Sequence, residues 1–184
     1  MDRRGSASPP PDALGAGDCE AWRPGPLAQP TNAVTSLAFV VAGTWLARRA
    51  SIVIPAERWR VRTAAGLLVA TGIGSVAYHG PGGRLGHLVH DVTLVLTAAW
   101  APLGLGAPVP APVATTVTRR RQAAAAAAAV GVGSYALGRT GSPACRPAAR
   151  WQWHGLWHVA AAVAAASWSE ATDVQPHLAR PREA

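Results

Sequence analysis

Residues 151–169 read WQWHGLWHVAAAVAAASWS, and this stretch contains no Asp, Glu, Lys or Arg. Its length lies within the roughly 17 to 25 mostly apolar residues that a membrane-spanning helix needs. His154 and His158 are four residues apart, so on a helix they lie on one face. The stretch therefore predicts an apolar helix that carries two ionisable side chains near its start.

Four further apolar stretches precede it, and together they contain a single charged residue, Asp91. They are residues 33–47, 63–78, 88–106 and 122–138. Charged residues make up 14% of the chain, whereas a soluble domain has about a quarter. Five buried helices of this kind would leave too little polar surface to cover them. We therefore predict an all-α, polytopic transmembrane bundle of about five membrane helices, spanning residues 33–169.

The ends of the chain differ in composition from this region. Residues 1–32 are rich in Pro, Gly and Ala and lack the continuous apolar core of a signal peptide. We interpret them as an extramembrane amino-terminal segment, and residues 170–184 as a polar carboxyl-terminal tail.

The net charge is +8, and all 17 basic residues are Arg. Such a surplus is typical of nucleic-acid-binding proteins. Here, however, most Arg residues between the predicted helices follow the first and third helices, which the positive-inside rule places in the cytoplasm. Membrane topology thus accounts for the surplus, and nucleic acid is not an expected partner. We predict a multi-pass protein of the cell membrane.

Three predicted helix ends carry polar residues that are costly inside a membrane. Ser75 and His79 end the second helix, Asp91 lies about one turn inside the third, and His154 and His158 begin the fifth. Five crossings place these helix ends at one membrane face, which is the extracytoplasmic face in the topology above. We therefore expect these five side chains to converge.

Three converging histidines from two helices form a sound zinc site. Catalytic zinc takes three protein ligands and leaves the fourth position for water. Zinc lowers the pKa of that water to about 7, which supplies hydroxide at neutral pH. The pattern therefore predicts zinc at His79, His154 and His158.

Each of these residues also has a simpler interpretation. His79 could cap its helix or lie at the membrane interface. His154 and His158 could hydrogen-bond to each other or to a lipid headgroup. Ser75 could be a small residue that allows close helix packing.

Asp91 is the one carboxylate in residues 58–169. It could simply pair with Arg84 or His87. His87 and His90 lie three residues apart on the loop side of the predicted helix. Their position favours interfacial or supporting roles over metal ligation, and we leave both unassigned.

Taken in order, these motifs resemble the alkaline ceramidase family, within the membrane-hydrolase superfamily that includes adiponectin receptors and Per1-type proteins. The resemblance runs through Asp18-Cys19-Glu20, Gln29-Pro30-Thr31-Asn32, Ser36, Gly74-Ser75-x-x-x-His79, Asp91 and His154-x-x-x-His158. It implies that His79, His154 and His158 hold zinc. It also implies that Ser75 and Asp91 complete the site.

The implied function is hydrolysis of the amide bond of ceramide or a similar acyl-lipid, a step of sphingolipid metabolism. Zinc-activated water would attack the carbonyl, with Asp91 as general base and then proton donor to the leaving amine. Ser75 would donate a hydrogen bond to the developing oxyanion. The alternatives are a membrane lipid esterase with the same site, a receptor or scaffold with structural zinc, and a small haem-binding protein.

The chain departs from the family in two respects. Family members have seven crossings, whereas the segment between Asp91 and His154 leaves room for one helix pair fewer. Ceramidases also bind calcium through an acidic amino-terminal segment. Asp18 and Glu20 match part of that segment, while Gln29 stands where an acid is expected. We therefore expect calcium, at Asp18 and Glu20, as a second candidate metal.

Cys19 and Cys145 are the only cysteines. Both fall on the predicted extracytoplasmic side, where an oxidising environment permits a disulfide. Such a bridge would tie the amino-terminal segment to the loop before the last helix. Two separate thiols are the alternative.

Overall fold

The computed structural model describes residues 17–53, 55, 58–100 and 111–178, and these residues are all-α. A 3₁₀ turn at Ala50–Ile52 follows the second helix. The helices are α1 (Pro30–Thr35), α2 (Leu37–Arg49), α3 (Arg58–His79), α4 (Arg84–Trp100), α5 (Ala111–Leu137) and α6 (Trp153–Leu178). The predicted all-α class is therefore confirmed.

Each predicted apolar stretch falls in a helical segment. Helices α1 and α2, which are separated only at Ser36, cover the first stretch, and α3 to α6 cover the others. Helix α4 ends at Trp100, and the remainder of its predicted stretch, residues 101–106, lies outside the described residues. Helix α6 continues past residue 169 to Leu178. Residues 1–16 and 179–184 of the predicted terminal segments also lie outside the description.

The helices pack in the order α4, α3, α2, α6, α5 across the bundle, and α1 contacts both α3 and α6. Glycines allow α2 and α3 to approach closely. A Cβ at Gly43 would lie 2.6 Å from the Ala65 carbonyl oxygen, and one at Gly72 would lie 2.9 Å from the Val40 nitrogen. The buried core between these helices and α6 includes Phe39, Leu46, Val61, Leu68 and Ala162.

A tight turn at residues 80–83 joins α3 to α4. Gly82 and Gly83 have φ angles of 76° and 109°, which favour glycine because it has no Cβ. The short turn keeps the end of α3 beside the start of α4.

The segment before α1 is fixed to the loop between α5 and α6. The sulfurs of Cys19 and Cys145 are bonded to each other, so the predicted disulfide is confirmed. The Cys19 N–H also donates to the Gly138 carbonyl at 2.8 Å, and the Ala21 N–H donates to Pro147 at 3.0 Å. The amino-terminal segment therefore lies at the end of the bundle where α3 ends and α6 begins.

Among the described residues, one helix, α3 with 22 residues, is long and apolar enough to cross a membrane. The described part of α4 has 17 residues, and α2 has 13. The multi-pass arrangement therefore stays a prediction.

Candidate metal centre

Three histidines meet at this end of the bundle. His79 is the last residue of α3, and His154 and His158 lie in the first two turns of α6. Their ring centroids are 4.7 to 5.2 Å apart, and one nitrogen of each lies within 4.8 Å of the others. All three side chains are buried. The predicted convergence of the three histidines is therefore confirmed, whereas the predicted convergence of Asp91 with them is not.

The tautomer of His79 follows from its neighbour Gln29. The amide nitrogen of Gln29 donates to the Glu20 carbonyl at 3.0 Å, so the amide oxygen faces His79 Nδ1 at 2.7 Å. An oxygen acceptor at this distance requires a proton on Nδ1. The lone pair is then on Nε2, which is buried and has no hydrogen-bond partner among the described residues.

The tautomer of His158 follows from two hydroxyl groups. Thr35 Oγ1 and Ser36 Oγ lie 3.2 and 3.3 Å from His158 Nδ1. The hydroxyls donate their protons to the carbonyls of Thr31 at 2.8 Å and Asn32 at 2.7 Å. Only their lone pairs are then left for Nδ1, which must carry the proton. His158 Nε2 is also buried, with no partner in the described part of the chain.

A carboxylate faces His154. Asp18 Oδ1 lies 3.3 Å from His154 Nδ1, within ion-pair distance although not aligned as a hydrogen bond. The same oxygen accepts a hydrogen bond from Arg139 Nη1 at 3.0 Å. Burial raises the pKa of Asp18 to about 6, and Arg139 opposes that shift. Near neutral pH the ionised carboxylate favours a proton on His154 Nδ1, which leaves the lone pair on Nε2.

All three imidazoles are thus set up in the same way. Each has a protein acceptor facing Nδ1 and an Nε2 atom that no described residue satisfies. Leaving a buried polar atom unpaired costs about 1–3 kcal/mol, and a cation in contact with all three would remove that cost. Neutral imidazole suits zinc and other borderline transition metals, and an acceptor behind each ligating histidine is typical of such sites. The residues present therefore fit a metal ion held by three histidines.

Ser75 lies at the edge of this centre. It is fully buried, and its hydroxyl is 2.7 Å from Ser36 Oγ. Since Ser36 gives its own proton to Asn32, Ser75 is the donor in this pair. Through Ser36, the predicted site residue Ser75 is connected to His158.

Asp91 lies on the outer side of α4, and its side chain is 52% exposed. Its two oxygens are 2.9 Å from His87 Nε2 and 2.8 Å from His90 Nδ1. The pairing with His87 was the simpler alternative that the sequence allowed. The structure gives Asp91 no described contact with the three histidines.

His90 is the residue of α4 that lies next to the centre. It is buried, its ring centroid is 6.4 Å from that of His79, and it stacks on Tyr78 at 5.4 Å. A Cβ at Gly74 would lie 2.7 Å from the His90 nitrogen, so this glycine lets the two helices meet here. The sequence analysis left His90 unassigned. Gly74 on the facing helix was the one feature of the sequence that could have indicated a close contact with α4 at this point.

The two residues predicted to bind calcium have other partners. Glu20 accepts the backbone N–H groups of Thr31 and Asn32, both at 2.8 Å, at the start of α1. Asp18 is engaged by Arg139 and faces His154. Calcium binding stays a prediction, and none of these contacts supports it.

Two residues that shape the centre were not predicted. Thr35 faces His158, and Arg139 holds Asp18. Thr35 carries no signal beyond its position before Ser36. No feature of the sequence distinguishes Arg139 from the other Arg residues between the apolar stretches.

The chain matches no protein-family model, no curated protein and no solved structure. The resemblance to alkaline ceramidases therefore remains a hypothesis that rests on the motifs quoted above.

Proposed function

We propose that this protein is an integral membrane zinc-dependent hydrolase that cleaves the amide bond of ceramide or a similar acyl-lipid. The observation that carries the proposal is the buried group of three histidines, in which one ring nitrogen of each lies within 4.8 Å of the others and an oxygen lies near each Nδ1. The family resemblance supplies the substrate class.

Exposed apolar side chains support the membrane placement. Helix α4 presents a row of them on its outer face, where exposure reaches 74% at Leu85. A soluble monomer rarely exposes so many large apolar side chains on one helix, whereas lipid tails would cover them. The exposed large apolar residues of α4 are Leu85, Leu88, Val92, Val95 and Leu96.

An apolar groove of about 360 Å³ between α4, α5 and α6 suits a long acyl chain. Phe39 and Trp157 line the groove near the metal centre. The Phe39 ring lies 6.0 Å from the His158 ring, and Trp157 directly precedes His158. A lipid with its chain in the groove would place its first carbonyl beside the histidines.

Zinc held at the three Nε2 atoms would supply a water of lowered pKa. In this proposal, the surrounding residues transfer the protons and stabilise the charges that form. Asp91 fixes the His90 proton on Nδ1, so His90 Nε2 carries a lone pair and accepts a proton from the attacking water. Asp91 stabilises the imidazolium that forms, and His90 later gives the proton to the leaving amine. In this proposal His90 replaces Asp91 as the base that the sequence predicted, and Asp91 positions His90.

Ser75 keeps its predicted role as a donor to the oxyanion. Its proton is given to Ser36 in the resting arrangement, and rotation about one bond would turn it towards a substrate oxygen. Ser36 remains held by the Asn32 carbonyl during this exchange. The position of His158 is therefore preserved while Ser75 moves.

The test is metal analysis of detergent-purified protein, followed by hydrolysis assays with ceramide and with an ester lipid of matched chains. We expect zinc in the wild type and release of fatty acid from ceramide. His158→Ala should lose zinc and hydrolysis together, whereas His87→Ala should retain zinc. Hydrolysis that persists in zinc-free His158→Ala would refute the proposal, and cleavage of the ester alone would make the protein an esterase.

A further inference from the structure

An Arg side chain lies against Trp168 at the end of the groove that is distant from the histidines, and no described residue supplies it with an anion. Arg121, on α5, has buried Nε and Nη2 atoms that make no hydrogen bond to the described residues. Its guanidinium carbon lies 5.8 Å from the centre of the Trp168 ring. Trp168 itself lines the groove. Buried guanidinium N–H groups without an acceptor cost free energy, and an anion bound to Nε and Nη2 would remove that cost.

The carboxylate of Glu170 is engaged by two other Arg residues. Arg49 Nη1 lies 3.2 Å from one oxygen of Glu170, and Arg120 Nη1 lies 3.2 Å from the other. Two Arg side chains therefore share one carboxylate of α6. The charge of Arg121 is not balanced by the described residues.

Arg121 lies on the groove side of α5. Ala124 and Ala125 line the groove, and they follow Arg121 by three and four residues, which places all three on one helix face. On α6, the lining residues Trp157 and Trp168 are eleven residues apart, a length of roughly 16 Å along a helix. The groove therefore extends from Trp157, which directly precedes His158, to Trp168, against which the Arg121 guanidinium lies.

We propose that Arg121 binds the phosphate of a membrane phospholipid whose acyl chain lies in this groove. An Arg fork matches phosphate oxygens, and the apolar lining matches the chain. The arginines at this end also face the cytoplasm in the predicted topology, where the leaflet is rich in anionic lipid. The inference rests on the membrane placement proposed above, but it does not depend on hydrolysis.

Bound phospholipid would occupy the space that the acyl chain of the substrate needs. It should therefore slow cleavage of long-chain ceramide more than cleavage of a short-chain analogue. Arg121→Gln should remove this difference.

The test is native mass spectrometry of detergent-purified protein with phosphatidylglycerol, with diacylglycerol of the same chains, and with inorganic phosphate. Wild type should bind phosphatidylglycerol in preference to the other two ligands. Arg121→Gln should bind it roughly tenfold more weakly, the loss expected for a charge-assisted hydrogen bond. The affinity of Arg121→Lys for phosphatidylglycerol should lie between those of wild type and Arg121→Gln. Arg119→Gln is the matched control, because Arg119 is exposed on the same helix.

Equal binding by wild type and Arg121→Gln would overturn the proposal, as would binding of inorganic phosphate with no preference for the lipid. His158→Ala separates this inference from the proposed hydrolysis, since it should lose zinc and still bind phosphatidylglycerol. Lipid binding that depends on Arg121 in a protein without hydrolase activity would refute the proposed function alone. Active hydrolysis with unchanged lipid binding in Arg121→Gln would refute this inference alone.

Discussion

Asp18→Asn is expected to weaken zinc binding without unfolding the protein. Asp18 Oδ1 lies 3.3 Å from His154 Nδ1 and 3.0 Å from Arg139 Nη1, and Oδ2 lies 3.9 Å from His79 Nδ1. Oδ1 therefore faces two donors, on His154 and Arg139, whereas the Nδ1 proton of His79 is accepted by Gln29. Asn has the same shape but carries one acceptor oxygen, one NH₂ group and no charge.

Either orientation of the amide introduced by Asp18→Asn leaves a mismatch. With its oxygen towards His154 and Arg139, the amide keeps an acceptor for both groups but brings no charge to the Arg139 guanidinium. With the amide reversed, the NH₂ group faces His154 and the guanidinium instead. Loss of an acceptor behind a ligating histidine typically costs 10- to 100-fold in metal affinity, which is about 1.4 to 2.7 kcal/mol.

The assay is competition for zinc between the purified protein and a fluorescent chelator. It should be run well above pH 6, because burial raises the pKa of Asp18 to about 6. Glu170→Gln is the matched control, since Glu170 also pairs with Arg but lies away from the histidines. Equal zinc affinities of Asp18→Asn and wild type, with helix content unchanged, would refute the reasoning about the Nδ1 acceptors.

Three further predictions follow from the packing around the centre. Gly74→Val should lower the free energy of unfolding by about 1–3 kcal/mol, because its Cβ would lie 2.7 Å from the His90 nitrogen; Gly66→Val, with nothing within 4 Å, is the control in chemical unfolding. His90→Gln should retain zinc, as measured by elemental analysis, and lose roughly 10²- to 10⁴-fold in hydrolysis rate; full activity would remove His90 from the mechanism. Replacing Cys19 and Cys145 by Ser should cost about 2–5 kcal/mol of stability in the same unfolding experiment, and an unchanged midpoint would show that the bridge is not stabilising.

The helices and the convergence of the histidines could be predicted from the sequence. The helices depend on the local pattern of apolar residues, and the convergence depends on whether an even number of helices separates His79 from His154. Charge-poor stretches mark each helical segment, and the i,i+4 spacing puts His154 and His158 on one face. The number of helices between His79 and His154 then decides that the three residues meet at the same end. None of these steps requires knowledge of the packing.

The groups facing the Nδ1 atoms could not be predicted in the same way. Gln29 and His79 are 50 residues apart, and Thr35 and His158 are 123 residues apart. Their contacts depend on how α1 lies between α3 and α6. The resemblance to ceramidases marked Gln29 as a departure, because an acidic residue is expected at this position. In the structure, the amide oxygen of Gln29 instead accepts the Nδ1 proton of His79.

The assignment of Asp91 illustrates a second limit. Neighbouring residues on a helix point about 100° apart, since 3.6 residues complete a turn. The sequence therefore could not decide whether His90 or Asp91 turns towards the centre. The contact at Gly74 sets the rotation of α4, and it brings His90 inward and leaves Asp91 half exposed.

Zinc K-edge X-ray absorption of the purified protein tests the central claim most directly. Three imidazole nitrogens and one oxygen at about 2.0–2.1 Å are the predicted shell, and His158→Ala should abolish bound zinc. Stoichiometric zinc with sulfur ligands, or an unchanged imidazole shell in His158→Ala, would contradict the account.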